Sequence, residues 1–194
     1  MNITQTTEPV LEPLTIAEIK EHSRIETDDD NYYLQELIPA ARQYTEKFTN
    51  RQLITATYDY TLDRFCNIIE LPRPPLQSVT WIKYIDENGS LQTLASSVYD
   101  VVTTKILGEI RLAYDENWPN HRDTYNAVQI RYVAGYGDDR TDVPDTIRHA
   151  MKMLVSTWYE NREAYDSAAF GAANFIQAPF AYEALLANYR IANF

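Results

Sequence analysis

Two hydrophobic rhythms divide the chain. Residues 1–13 follow neither: they are polar, carry Pro9 and Pro13, and read as a flexible arm. Helical spacing begins directly afterwards. Thr15-Ile16-Ala17-Glu18 has the form of a capping box, in which the Thr15 hydroxyl accepts from the Glu18 N–H and the Glu18 carboxylate accepts from the Thr15 N–H. Leu14 and Ile19 stand where a hydrophobic staple would close, and a short helix runs from Ile16 to about His22. Asp28-Asp29-Asp30 then sets negative charge at the start of a second helix, where the macrodipole favours it. Tyr33, Leu34, Leu37, Ile38, Ala41, Tyr44 and Phe48 make one apolar stripe on that helix, which ends near Asn50. Pro39 lies inside the stripe, removes a backbone donor and opposes the carbonyl of Gln35, which predicts a kink.

At Leu53 the period changes to two. Ala56, Tyr58, Tyr60 and Leu62 alternate with Thr57, Asp59 and Thr61, the signature of a half-buried strand. Further strands are expected over Ile68–Leu71, Val79–Ile85, Leu91–Leu94, Tyr99–Thr103, Glu109–Ala113 and Ala127–Val133, with a hairpin turn at Asp86-Glu87-Asn88-Gly89. Pro72, Pro74 and Pro75 break any ladder, so that stretch is a loop or an edge. Helical spacing returns after Gly135-Tyr136-Gly137. Pro144 suits a first helical position, and Ile147, Ala150, Met151, Leu154, Val155 and Trp158 line one face of a helix reaching about Ala164. A small-residue stretch from Asp166 to Ala178 leads to a last short helix from Pro179 to about Tyr189.

Helices at both ends with strands between them define an α+β protein: N- and C-terminal helices forming a small bundle, with an inserted antiparallel β subdomain. The expected organisation is an arm over 1–13, a helical core from 14–52 and 143–165, a β insertion over 53–137, and a mobile C-terminal segment over 166–194 with its short helix.

Charge narrows the function. With 28 acidic against 17 basic side chains the chain carries a net charge of −11, the wrong sign for holding nucleic acid by its phosphates. Cys66 is the sole cysteine, which excludes an intrachain disulfide and a thiolate zinc cluster and suits a reducing cytosol. No apolar run approaches the roughly 20 residues of a membrane span, and no secretory leader is evident.

Catalytic chemistry finds little support. His22, His121 and His149 fall in separate segments, and no nucleophile elbow, phosphate loop or dinucleotide fingerprint occurs. The runs Asp28-Asp29-Asp30 and Asp138-Asp139 with Asp142 lack the spaced oxygen ligands and glycine of a Ca²⁺ loop and read as helix-end charges. No catalytic, cofactor or metal residue is therefore assigned. A pocket gathering His149, Asp145 or Glu160 would favour a small cytosolic enzyme instead. The 15 tyrosines and three tryptophans suit either a large core, expected for Trp81 and Trp158, or broad protein interfaces. Interface is the reading for Tyr182, Tyr189 and Phe194, which lie in a terminal segment that a monomer would struggle to bury completely.

Several motifs, in order, carry a family resemblance. Leu14-Thr15-Ile16-Ala17-Glu18-Ile19-Lys20-Glu21-His22, an acidic patch, and a helix ending Ala40-Ala41-Arg42-Gln43-Tyr44-Thr45-Glu46 come first. Leu71-Pro72-Arg73-Pro74-Pro75-Leu76-Gln77-Ser78-Val79 follows, then Tyr132-Val133-Ala134-Gly135-Tyr136-Gly137 with Val143-Pro144 and Ile147-Arg148. Trp158-Tyr159-Glu160-Asn161-Arg162-Glu163 and Phe180-Ala181-Tyr182-Glu183-Ala184-Leu185-Leu186 complete the series. Together they resemble the head–tail connector, or adaptor, proteins of long-tailed phages and related prophages and gene transfer agents, in the larger branch with a β insertion. Pro39 and the length of the stretch from Asp166 to Ala178 depart from the family pattern.

The resemblance implies a non-enzymatic virion protein of the neck, assembled in the host cytoplasm. It would form a homo-oligomeric ring of about twelve copies beneath the portal protein and offer a platform to a stopper or tail-completion protein. Double-stranded DNA would pass through without specific binding; no membrane and no cofactor is involved. Arg73 and Arg162 are candidates for intersubunit pairs, and Tyr182, Leu185, Leu186, Tyr189 and Phe194 for a tail that docks on the portal. A tail-completion or stopper subunit, lower in the neck, is the alternative.

Overall fold

A computed structural model describes residues 2–162 and 180–191. The chain is α+β and divides into two compact units, one built from 2–10 with 50–138, the other from 11–49 with the described part of 139–193.

The first unit holds eight strands: β1 (Asn2–Thr7), β2 (Ala56–Leu62), β3 (Ile68–Leu71), β4 (Leu76–Ile85), β5 (Leu91–Thr93), β6 (Tyr99–Val102), β7 (Gly108–Leu112) and β8 (Val128–Ala134). They form a five-stranded sheet in the order β1-β2-β8-β4-β5 and a three-stranded sheet in the order β3-β7-β6, with every pair antiparallel. Alternation decides which side chains are buried. Ala56, Tyr58, Tyr60 and Leu62 of β2 and Val128, Ile130, Tyr132 and Ala134 of β8 share a core with Ile69, Leu71 and Ile110 of the smaller sheet. The buried tyrosines remain satisfied: Tyr132 donates to the Pro72 carbonyl at 2.7 Å, and Tyr58 donates to the Gln52 side chain. Gly135 ends β8 with φ 133, and a Cβ there would lie 2.7 Å from the Thr55 nitrogen, so backbone shape and close approach both call for glycine.

The β4–β5 hairpin forms at the expected turn, where Asp86 accepts from Ser90 through its carboxylate and Gly89 takes φ 86. The proline stretch lies between β3 and β4, with a cis Pro74-Pro75 bond and Arg73 at φ 62.

Residues 2–7 correct the expected arm. Asn2–Thr7 pairs antiparallel with β2, from Asn2 opposite Thr61 to Thr7 opposite Thr57. The stretch is uncharged and contains Ile3 and three threonines, a composition that suits an edge strand, and β2 offered an open ladder to receive it. The β unit is consequently more than an insertion, because the N-terminus completes it.

The second unit holds α1 (Ile16–Ser23), α2 (Asn31–Thr49), α3 (Asp145–Glu160) and α4 (Phe180–Leu186). The capping box at Thr15 and Glu18 is complete, and Leu14 and Ile19 are both buried. α2 continues across Pro39 to Thr49: Leu34, Ile38 and Ala41 are buried on either side, and their packing outweighs a local cost of about 3 kcal/mol. α3 buries Ile147, Ala150, Met151, Leu154 and Val155. It stops at Glu160, short of the expected Ala164, because Asn161 leaves helical geometry and its side-chain amide donates to the Thr157 carbonyl. The last helix is present as α4, followed by a 3-10 turn over Ala187–Tyr189. The expected loop from Asp166 to Ala178 lies outside the described residues, as does Phe194.

Candidate interaction surfaces

In the helical unit the C-terminal segment is part of the core. Tyr182 and Leu186 are fully buried. The Tyr182 ring meets Tyr44 at 5.8 Å and Phe48 at 5.9 Å, and its hydroxyl shares a 3.0 Å hydrogen bond with Thr45. Burial pushes the Tyr182 hydroxyl well above the ordinary tyrosine range, although the Thr45 contact works the other way. The backbone is held too: Ile191 N–H donates to the Thr49 carbonyl at 3.0 Å, and Arg190 stacks over Phe48. The expectation that a lone subunit would struggle to bury this segment completely is thus corrected for Tyr182, while Tyr189 stays half-buried; Leu186, expected to dock on a partner, is also buried. Tyr182 packs inside its own subunit against Tyr44, Thr45 and Phe48 of α2, and Leu186 is buried one turn further along α4, which packs on α3. Leu185 and Tyr189 are half-buried.

The buried face of α2 is also more polar than its apolar stripe suggested. Arg42, only 6% exposed, donates to Glu12 at 2.8 Å and to Glu46 at 3.0 Å. Thr45 and Thr49 are buried as well, each donating to the carbonyl four residues earlier.

Asp28 and Asp30 use their carboxylates on side chains from other segments. Asp28 accepts from Lys20 at 2.6 Å and from the Asn31 amide. Asp30 accepts from the Tyr159 hydroxyl and from Arg162, each at 2.7 Å, while the Arg162 guanidinium lies over the rings of Tyr33 and Tyr159. Arg162 is therefore engaged within its own subunit. Arg73 is half-buried on the β3–β4 loop, next to the Pro72 carbonyl that receives Tyr132.

These ion pairs make stability depend on pH with a definite sign. Partial burial works to raise the Glu18 carboxyl, but hydrogen bonds from Thr15 and the charges of Arg148 and Lys152 outweigh it and hold Glu18 below its ordinary 4.5. The Tyr159 and Arg162 hydrogen bonds hold Asp30 below its ordinary 3.8. A carboxyl whose folded value is depressed stabilises fully above its unfolded value and loses that contribution as pH falls through the folded one. Burial, with the His149 and Lys152 charges, likewise holds His22 below its ordinary 6.5, so thermal stability is expected to slip slightly as pH falls below about 6.5 and to fall further below about pH 4, with a shallower second fall in Glu18→Gln; a melting series against pH checks both.

The candidates for chemistry do not converge. His149 meets the ring of His22 at 5.7 Å, and Asp145 pairs with Arg148 at 3.5 Å. A cavity of about 420 Å³ is lined by Asp63, Asp123, Thr124 and Tyr125, none of them among those candidates. Among the described residues no group of three His, Cys, Asp or Glu side chains is arranged to hold a metal ion, and no helix is long and apolar enough to cross a membrane.

The β unit shows surface features that a linear reading missed. On the face of the five-stranded sheet away from the core, half-buried Trp81 lies under Lys83 at 4.6 Å and Arg131 at 4.9 Å, and Arg131 binds Asp59 through two hydrogen bonds of 2.7 and 2.8 Å. The register places Asp59, Arg131 and Trp81 opposite one another on β2, β8 and β4. Trp158 is likewise only half-buried, set edge-on to Tyr44. Tyr114, Tyr125 and Ile106 are largely exposed on loops.

The two antiparallel sheets and the packed helices make an α+β fold that is similar to chains in solved gene transfer agent particles. A structure described as the neck of an empty GTA particle computed with C6 symmetry contains a chain 23% identical, with a TM-score of 0.79, covering 100% of this chain and 97% of that one. The virion of a native gene transfer agent particle matches at 23% identity and a TM-score of 0.78, with the same coverage of both chains. The neck of a native GTA particle computed with C12 symmetry matches at 23% identity and a TM-score of 0.76, again with 100% and 97% covered. A family model described as Head completion protein matches residues 12–191, and the chain belongs to that family. No curated protein sequence matches.

Proposed function

We propose that this protein is a structural virion protein of the neck, an adaptor subunit that forms a ring beneath the portal and offers a platform for a stopper or tail-completion protein. The observation that carries this reading is the head completion family match across 12–191. The similar fold of chains in gene transfer agent necks supports it, and the C12 symmetry of one of them suggests a copy number of about twelve. A net charge of −11 suits a conduit, because an acidic lumen repels phosphates and lets double-stranded DNA slide without sticking. Arg73 remains a candidate for an intersubunit pair. Arg162 would first have to leave Asp30, and among the described tail candidates half-buried Leu185 and Tyr189 are better placed for the portal than buried Tyr182 and Leu186.

Light scattering and negative-stain microscopy of the purified protein, alone and mixed with its portal, test the reading. A ring, alone or only with portal, is the expected result. A compact monomer indifferent to portal overturns it.

A further inference from the structure

Resting on the ring reading, we infer that neighbouring copies join by sheet continuation, the open edge of β1 in one subunit pairing with the open edge of β5 in the next. These strands are the two rims of the five-stranded sheet. Each is exposed along its length, apart from half-buried Ile3. An open rim is a row of unpaired N–H and C=O groups, and proteins that must not associate blunt such rims with charge or proline. The smaller sheet does so: its rim strands β3 and β6 carry exposed Glu70 and Asp100. β1 and β5 carry neither charge nor proline, and β5 adds Leu91 at 54% exposure. In a chain of net charge −11, two neutral rims are where copies can meet without repulsion.

The topology fixes the geometry of the junction. Five strands with every neighbour antiparallel leave β1 and β5 running in the same direction. A head-to-tail contact, the kind that closes rings, therefore makes a parallel β5–β1 pair, whereas a two-fold contact would pair β1 with β1. A parallel pair limited to the three residues of β5 is weak on its own, so it sets the register of neighbours within a ring that other contacts help to close.

Cysteine cross-linking in a Cys66→Ser background tests this. Thr4→Cys and Gln92→Cys are prepared singly and together in the full chain, and a short bis-maleimide is added under conditions where microscopy shows rings, with portal if portal is required. Within one subunit the two positions are four strand spacings of about 4.8 Å apart across the sheet and three residues of about 3.3 Å apart along it, more than about 20 Å in all, beyond the reagent's reach. The expected result is a ladder of multimers from the double variant, dimers from a mixture of the two single variants, and monomers from either single variant alone. Cross-linking of Thr4→Cys to itself would establish a two-fold contact and overturn the inference. Rings without any cross-link would overturn it and leave the proposed function standing. Monomers throughout, with portal present, would sink the ring reading and the inference with it.

Discussion

Replacing Tyr182 by alanine is expected to destabilise the helical unit by about 3–5 kcal/mol, the usual cost of emptying a fully buried aromatic site. The ring is completely enclosed and in contact with Tyr44 and Phe48, so its loss leaves a cavity between α2 and α4 that rigid helices close only in part. Tyr182→Phe keeps the ring and removes the hydroxyl shared with Thr45, for a smaller loss of about 1 kcal/mol. Urea unfolding followed by circular dichroism gives both values. The pair of variants also discriminates between roles. If Tyr182→Ala left stability unchanged while portal binding disappeared, Tyr182 would be an anchor for a partner and its packing within the subunit incidental.

The second large effect is expected at Arg42. Its guanidinium is almost wholly enclosed and is held by Glu12 and Glu46, and Glu46 is itself only 9% exposed. Arg42→Met retains much of the packing volume but strands a buried carboxylate, which costs about 3–5 kcal/mol. Replacing the triad together, with Glu46→Leu and Glu12→Gln added, should recover most of that loss, since a well-packed apolar substitute is often as stable as a buried ion pair. A denaturation series on the single and triple variants measures the difference. A triple variant no better than Arg42→Met would show that the ion pairs orient residue 12 against α2 in a way that apolar packing does not replace.

Both predictions fall on residues that the linear pattern described differently. Arg42 lies on the flank of α2's apolar stripe, where a charge normally faces water, and no periodicity announces that Glu12, thirty residues earlier, will cover it. Tyr182 looked like surface for a partner because its helix is short and terminal. Its burial depends on the gap beside Tyr44 and Phe48, which exists only once α2 is in place. Arg162 looked available for a neighbouring subunit, and the fold instead stacks it on Tyr33 and Tyr159 against Asp30.

What the amino-acid order determined by itself was local: the capping box at Thr15, the buried face of α3, the alternation that buries Tyr58, Tyr60 and Leu62, and the turn at Gly89. Each is set by neighbours within a few residues, through hydrogen bonds to adjacent backbone or through the repeat of one face of a helix or strand. The same order carried the α+β class, because the rhythm changes twice along the chain. Tertiary structure alone decided the pairings over long separations. It joined residues 2–7 to β2, laid Asp59, Arg131 and Trp81 in one row, brought His22 to His149, and left two neutral rims open on one sheet. Such contacts arise from strand register and helix packing, which are settled by the whole core at once and leave no mark in any short window of sequence.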